Sequence, residues 1–364
     1  MNAERLHAIV LALSQEMSKT NTVGKLQELI NALSQVVNQS HPANQQTLAQ
    51  NLKAMYAAVT DAPSDQFSPA WRQVLVEIGG EDLFGSMLKG NIEAIFSRNQ
   101  ITPAVALDEL QQLHKRLQAF RTALDQCSTS LKHFKIGDEK LAPGECEIGM
   151  LIPRGAVENK LINFADELKE LSFILNTFSE VATGTKDDLT IRTISSSDLL
   201  VYLQASAPYA AFVAICIERV VALYKQLVEI RKLHQEIRQQ GVPEKEMSGI
   251  ENYANNLMIK GIEKIAVEMV NEYHKKDDKE RKNELTNAVR ISLNKIANRI
   301  DQGFNIEVRV APLPKPDNQE KENKELRKAV ETIQSATANM QFLKLEGKPI
   351  LKLPEGKEEP KTKE

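Results

Sequence analysis

The sequence predicts a predominantly helical α+β protein. An N-terminal helical bundle is followed by a sheet domain of split β-α-β (ferredoxin-like) order that carries long helices. Three observations predict it. Residues 2 to 135 repeat apolar side chains at three-four spacing, the period of one helix face. Two short strand patterns, Leu189 to Ile194 and Leu199 to Gln204, flank Ser195, Ser196, Ser197 and Asp198 and run straight into a helix opened by Ser206, Ala207 and Pro208. Phe304, Ile306, Val308 and Val310 alternate with Asn305, Glu307 and Arg309, the period of two of a half-buried strand.

The first three helices carry the stripes Leu6, Ile9, Val10, Leu13, Met17, then Leu26, Leu29, Ile30, Leu33, Val36, Val37, then Leu48, Leu52, Met55, Val59. Polar breaks at Lys19 to Asn21 and Ser40 to Ala43 separate them, and Pro42 is placed to start a helix. Asp61 to Ser68 reads as a loop. Trp71 to Ile78 is a short helix stopped by Gly79 and Gly80, and Leu83 to Ser97 is another, weakened by Gly85 and Gly90. Thr102-Pro103 opens a long helix with the stripe Leu110, Leu113, Leu117, Phe120, Leu124, Cys127, Leu131, the pattern of one helix lying along another. The bundle is expected to end near residue 135, and the polar segment 136–145, with Gly137, Pro143 and Gly144, is the expected linker.

An α+β domain is expected over 146–314. A strand around Glu147 to Ile152 ends at Pro153. A helix follows with Val157, Leu161, Phe164, Leu168, Leu171, Leu175 and Phe178, closed by Gly184. The helix after the two strands carries Val213, Cys216, Val220, Leu223, Leu227 and Ile230 and stops at Gly241-Val242-Pro243. A helical pair, about 244–302, is inserted before the last strand, with a charged, solvent-exposed link at Lys275 to Lys282. Lys321 to Ala338 gives one more helix. Met340 to Leu345 and Ile350 to Leu353 are expected to form a hairpin, completing a C-terminal segment over 315–354. The Lys-, Glu- and Pro-rich residues 355–364 are expected to be a disordered tail.

Composition narrows the function. A net charge of -3 supplies no global field to gather nucleic acid or an anionic membrane, and 5% aromatics is little for a base-stacking surface. Cys127, Cys146 and Cys216 are an odd, unpaired set, which argues for a reducing, cytoplasmic compartment. The apolar run from Leu199 to Ile217 is interrupted by Gln204, Ser206 and Pro208, too short a stretch for a membrane span.

No motif carries chemistry. The six histidines, His7, His41, His114, His133, His234 and His274, form no His-Glu-x-x-His, and no Cys-x-x-Cys occurs, so no metal or other cofactor is expected. Phosphate-binding glycine loops and the Gly-x-Ser-x-Gly elbow are absent. Ser195 to Asp198 is good turn chemistry with no base beside it. His234 lies on the seam of the long helix and is expected half-exposed near its end. Cys146, between Glu145 and Glu147, is expected to be a poor nucleophile.

The polar side of the last strand, Asn305, Glu307 and Arg309, joined by Arg192 and Tyr202, is the one candidate binding face. The expected function is a non-catalytic intracellular interaction or scaffolding protein, meeting a protein partner or a second copy through its long helices. The alternatives are a ligand- or nucleic-acid-binding sensor on the open sheet face and an enzyme whose site is assembled from scattered residues.

Overall fold

The structure is a computed structural model that describes residues 3–137, 141–186, 189–195, 199–274, 278–314, 324–340, 343, 345 and 347–356. The chain divides into two compact units, Met1–Lys140 and Leu141–Glu364.

The first unit is all helix. Its elements are α1 (Ala3–Thr20), α2 (Thr22–Asn38), α3 (Pro42–Val59), α4 (Pro69–Glu77), α5 (Gly85–Arg98) and α6 (Pro103–His133). The expected stripes form its core: Ile9, Leu13, Leu26, Leu29, Met55, Leu110 and Leu117 are all fully buried, and Leu88 of α5 joins them. Local chemistry sets the helix starts. Pro42 begins α3 while the His41 ring accepts from the Ala43 amide. Ser68 accepts from the Trp71 amide at the head of α4. Asp65 accepts from both the amide and the hydroxyl of Ser86 at the start of α5, at 2.8 and 2.7 Å. The buried Glu16 carboxylate takes the amide and hydroxyl of Ser64, which ties α1 to the loop before α4.

The second unit contains β1 (Cys146–Ile152), α7 (Leu161–Thr183), β2 (Thr190–Ser195), β3 (Leu199–Ala205), α8 (Ala207–Gln239), α9 (Glu244–Tyr273), α10 (Lys279–Asp301), β4 (Asn305–Val310) and α11 (Lys324–Asn339). The strands lie in the order β2-β3-β1-β4 and every neighbouring pair is antiparallel. This is the order of the split β-α-β arrangement, with α9 and α10 inserted before β4. Cys146, Ile148, Met150 and Ile152 share one face of β1 and are buried against α8, whose first half is apolar nearly all round: Tyr209, Phe212, Val213, Cys216 and Val220 are at most 1% exposed. By length and composition α8 is apolar enough to cross a membrane; two thirds of that stretch is buried inside the fold.

Beyond Tyr224 the apolar stripe of α8 narrows. Leu227, Arg231 and His234 continue it at four-three spacing and are buried. Helices α9, α10 and α11 pack on α8, so the seam is covered within the unit. His234 is therefore 5% exposed rather than half-exposed, because α9 brings Glu251 to 3.4 Å from its Nε2.

Four further expectations are corrected. The helix expected from Val157 starts at Leu161: Glu158 and Asn159 both have positive φ, 50° and 55°, which no α-helix passes through. Leu161, placed on the seam by spacing, is 82% exposed. The charged link at Lys275 to Lys282 is shorter than expected, because Asp278 accepts from the Arg281 amide and α10 begins at Lys279; residues 275–277 lie outside the described residues. No strand forms over Ile350 to Leu353, whose amides go to side chains of α9 and α10; residues 341, 342, 344 and 346 of the expected hairpin lie outside the described residues. The expected tail begins with Glu355 bonded to Asn298, and from 357 it too lies outside them, as do residues 196–198 of the expected turn and 138–140 of the expected linker.

Candidate functional site

The register brings the five expected residues to one face of the sheet. Gly149 stands opposite Tyr202 on one side and Glu307 on the other, and Glu147 stands opposite Arg309. Gly149 is what admits the tyrosine: a Cβ there would lie 2.4 Å from Tyr202 Cε1. Tyr202 is 1% exposed, with its hydroxyl 3.5 Å from Glu307 Oε1. Arg192 sits at the irregularity where the β2–β3 register slips between Ile191 and Thr193, which turns it toward β1. Its Nε is 3.6 Å from Glu147 Oε2, and its Nη1 donates to Glu145. Arg309 Nη1 lies 3.2 Å from Glu147 Oε1. Asn305 stands opposite Leu151 at the far end of the same face, half-buried.

Two guanidiniums from two different strands thus converge on the buried Glu147 carboxylate. These contacts link β2 and β4 to β1 through one side chain. The Ala142 amide and, after burial has opposed it, Arg192 hold the Glu145 carboxyl below its ordinary range. Burial, with Glu145 adding to it, pushes the Cys146 thiol up to about 12. That removes Cys146 as a nucleophile at neutral pH. Among the described residues no three His, Cys, Asp or Glu side chains are grouped to hold a metal ion.

A second constellation lies where α8, α9 and α10 meet. Asp301, at the end of α10, is fully buried. Its Oδ1 accepts from the Tyr224 hydroxyl and from Arg231 Nη1, the latter at 2.8 Å. Its Oδ2 accepts the Ile350 and Leu351 amides at 2.6 and 2.7 Å. Asn298 faces Leu353 with both ends of its carboxamide: Oδ1 accepts the amide at 3.0 Å and Nδ2 donates to the carbonyl at 3.1 Å. Asn294 donates to the Pro354 carbonyl, and Asn255 of α9 accepts from the Lys352 amide. Burial, with Asp301 adding to it, raises the Tyr224 hydroxyl above its ordinary range, so it stays protonated as a donor.

An ion cluster adjoins this groove. Arg299 forms a two-point pair with Glu167 of α7, and Lys295 pairs with Glu170 while lying 5.0 Å from the Phe173 ring centroid. Arg299 Nη1 also reaches Glu355 Oε2 at 3.7 Å.

Sequence reading placed the sheet-face residues together and missed the groove. A signal for it existed. Asn294, Asn298 and Asp301 recur at four-three spacing on α10, among Leu293, Ile296, Ala297 and Ile300. A polar line at core spacing marks a helix that has something polar to hold. Set against known proteins, the chain matches no family model, no curated protein and no solved structure.

Proposed function

We propose that this chain is a non-catalytic intracellular interaction protein and a component of a larger assembly. The observation that carries the reading is apolar surface left on the end strand of the sheet. Ile191 and Ile194 stand opposite Leu203 and Val201, on the apolar side of the register, yet they are 58% and 51% exposed. An end strand that presents aliphatic side chains is a place for another chain to sit, by packing or by strand addition. The charged groups of the opposite face spend their charge on one another, which favours a structural over a catalytic use of that layer. The intracellular part of the reading rests on three free cysteines, two of them buried.

The test is light scattering across a concentration series, paired with a photo-crosslinking residue at position 194 in cells. Self-association or a crosslinked partner that disappears in Ile191→Asp/Ile194→Asp supports the reading. A monomer at all concentrations, with crosslinking at 194 no stronger than at exposed Lys169, sinks it.

A further inference from the structure

The chain from Gly347 to Gly356 lies on three helices as a strap, and side chains hold its backbone. Arg231 Nη2 donates to the Gly347 carbonyl at 2.6 Å. Asp301, Asn255 and Asn298 between them accept the four successive amides of residues 350 to 353. Asn298 and Asn294 donate to the carbonyls of Leu353 and Pro354. Among the strap's side chains, Ile350, Leu351 and Leu353 are buried and Lys352 is exposed. Helix side chains hold the main chain and the aliphatic side chains join the core of the unit, the two kinds of contact by which peptide receptors hold their ligands.

The groove is built for a backbone. With the strap in place Asn294, Asn298 and Asp301 are at most 7% exposed, and its backbone gives a partner to Asn294 Nδ2, to both ends of the Asn298 carboxamide and to Asp301 Oδ2. Backbone reading is tolerant of sequence, so another segment with the same pattern of amides and aliphatic side chains satisfies the same atoms. The strap follows α11, so it lifts off without unthreading any described element.

We propose that the groove between α8, α9 and α10 is a peptide-binding site. The strap is its resident ligand, and a partner peptide of the same chemistry displaces it. That chemistry is two adjacent aliphatic residues, any residue, a third aliphatic residue, and a carboxylate two positions further on, with free amides over the first four. The carboxylate meets Asn298 and Arg299, as Glu355 does at 2.6 and 3.7 Å. The inference deepens the interaction reading but uses a site separate from β2, so either can fail alone.

The experiment places a protease site in the connection between Met340 and Gly347 of the full chain, making the strap a non-covalent ligand after cutting. A fluorescent peptide with the sequence of residues 347 to 356 is the probe. Saturable binding to the cut chain is expected. Binding to the uncut chain should be roughly tenfold weaker or worse, since the tethered strap competes at high effective concentration. N-methylation at Leu351, which removes one donor to Asp301, should weaken the peptide roughly tenfold. Ile191→Asp/Ile194→Asp should leave binding unchanged. A cut chain whose strap is not displaced by roughly hundredfold excess peptide overturns the proposal, as does binding indifferent to N-methylation. The full chain carrying Ile350→Asp/Leu353→Asp is the second arm: it should keep its near-ultraviolet signal and take up the probe. If both it and the cut chain unfold, the strap is a core segment and the proposal fails. A doubled mass with straps exchanged between copies assigns the groove to a second copy and overturns the partner version.

Discussion

Arg231 and Asp301 face each other across α8 and α10 at 2.8 Å, 5% and 0% exposed. The pair is not sealed upon itself. Asp301 keeps one carboxylate oxygen for two strap amides, and Arg231 keeps one nitrogen for the Gly347 carbonyl. The charges are buried together because the strap completes their hydrogen bonds. Asp301→Ala should therefore destabilise the second unit by about 3 to 5 kcal/mol, the cost of stranding a buried charge. Urea denaturation measures it; a loss within about 0.5 kcal/mol, as at an ordinary surface site, would mean that water reaches the node.

Leu227 and Leu161 both sit on aliphatic stripes by spacing, but one is fully buried and the other 82% exposed. Leu227→Ala should cost ~2 to 5 kcal/mol and Leu161→Ala stay within ~0.5 kcal/mol. Equal effects would refute the boundary at which α7 starts.

At Gly149 an added methyl meets the Tyr202 ring. Gly149→Ala should destabilise by ~1 to 3 kcal/mol, and most of that should return in the double variant with Tyr202→Ala, which removes the clash. Additive losses in this cycle would show that backbone conformation, not the ring, demands the glycine.

Burial raises the Glu16 carboxyl above its ordinary value, with the Ser64 bonds opposing part of the effect. Folding then favours the protonated form. The stability this group contributes is complete below the ordinary carboxylate range and is lost as pH rises through the raised folded value. Glu16→Gln should be the more stable form at pH 7, with the two melting curves converging toward about pH 4. A gap that widens on acidification would reverse the sign and the argument.

Thiol labelling offers a fifth test. Cys146 and Cys216 are fully buried, and burial raises both thiols, Cys146 to about 12; Cys127 is half-buried. At pH 8 one thiol, Cys127, should react in the native protein and three in denaturant. Rapid labelling of Cys146 in the folded state would contradict its placement in β1.

Most elements were legible because their apolar period was strong and their ends carried Pro, Gly or a capping side chain. The failures have physical causes. At Val157 the stripe ran through residues whose backbone leaves the helical region, which periodicity does not see. At Ile350 to Leu353 an aliphatic run flanked by Gly and Pro looked like half of a hairpin, but its partners are side chains about 50 and 100 residues away, at Asn298, Asp301 and Asn255. Long-range polar pairing leaves no local pattern. The sheet-face residues could be grouped because a strand's period of two fixes facing. That Arg192 and Arg309 would both converge on Glu147 depended on register, which one strand's pattern does not specify.

The pairing of β1 with β4 sets Cys146 opposite Val310, a separation of 310 − 146 = 164 residues, whereas β2 meets β3 with Ser195 opposite Leu200. Closing the longer loop costs about 3 kcal/mol more in chain entropy. The hairpin can assemble as soon as its own residues meet, while β4 must wait for α7 through α10 to bring its ends near. Order of assembly is thereby written into the ladder: truncating Val308 should speed unfolding and leave the refolding rate almost untouched, the signature of a strand that arrives after the barrier has been crossed.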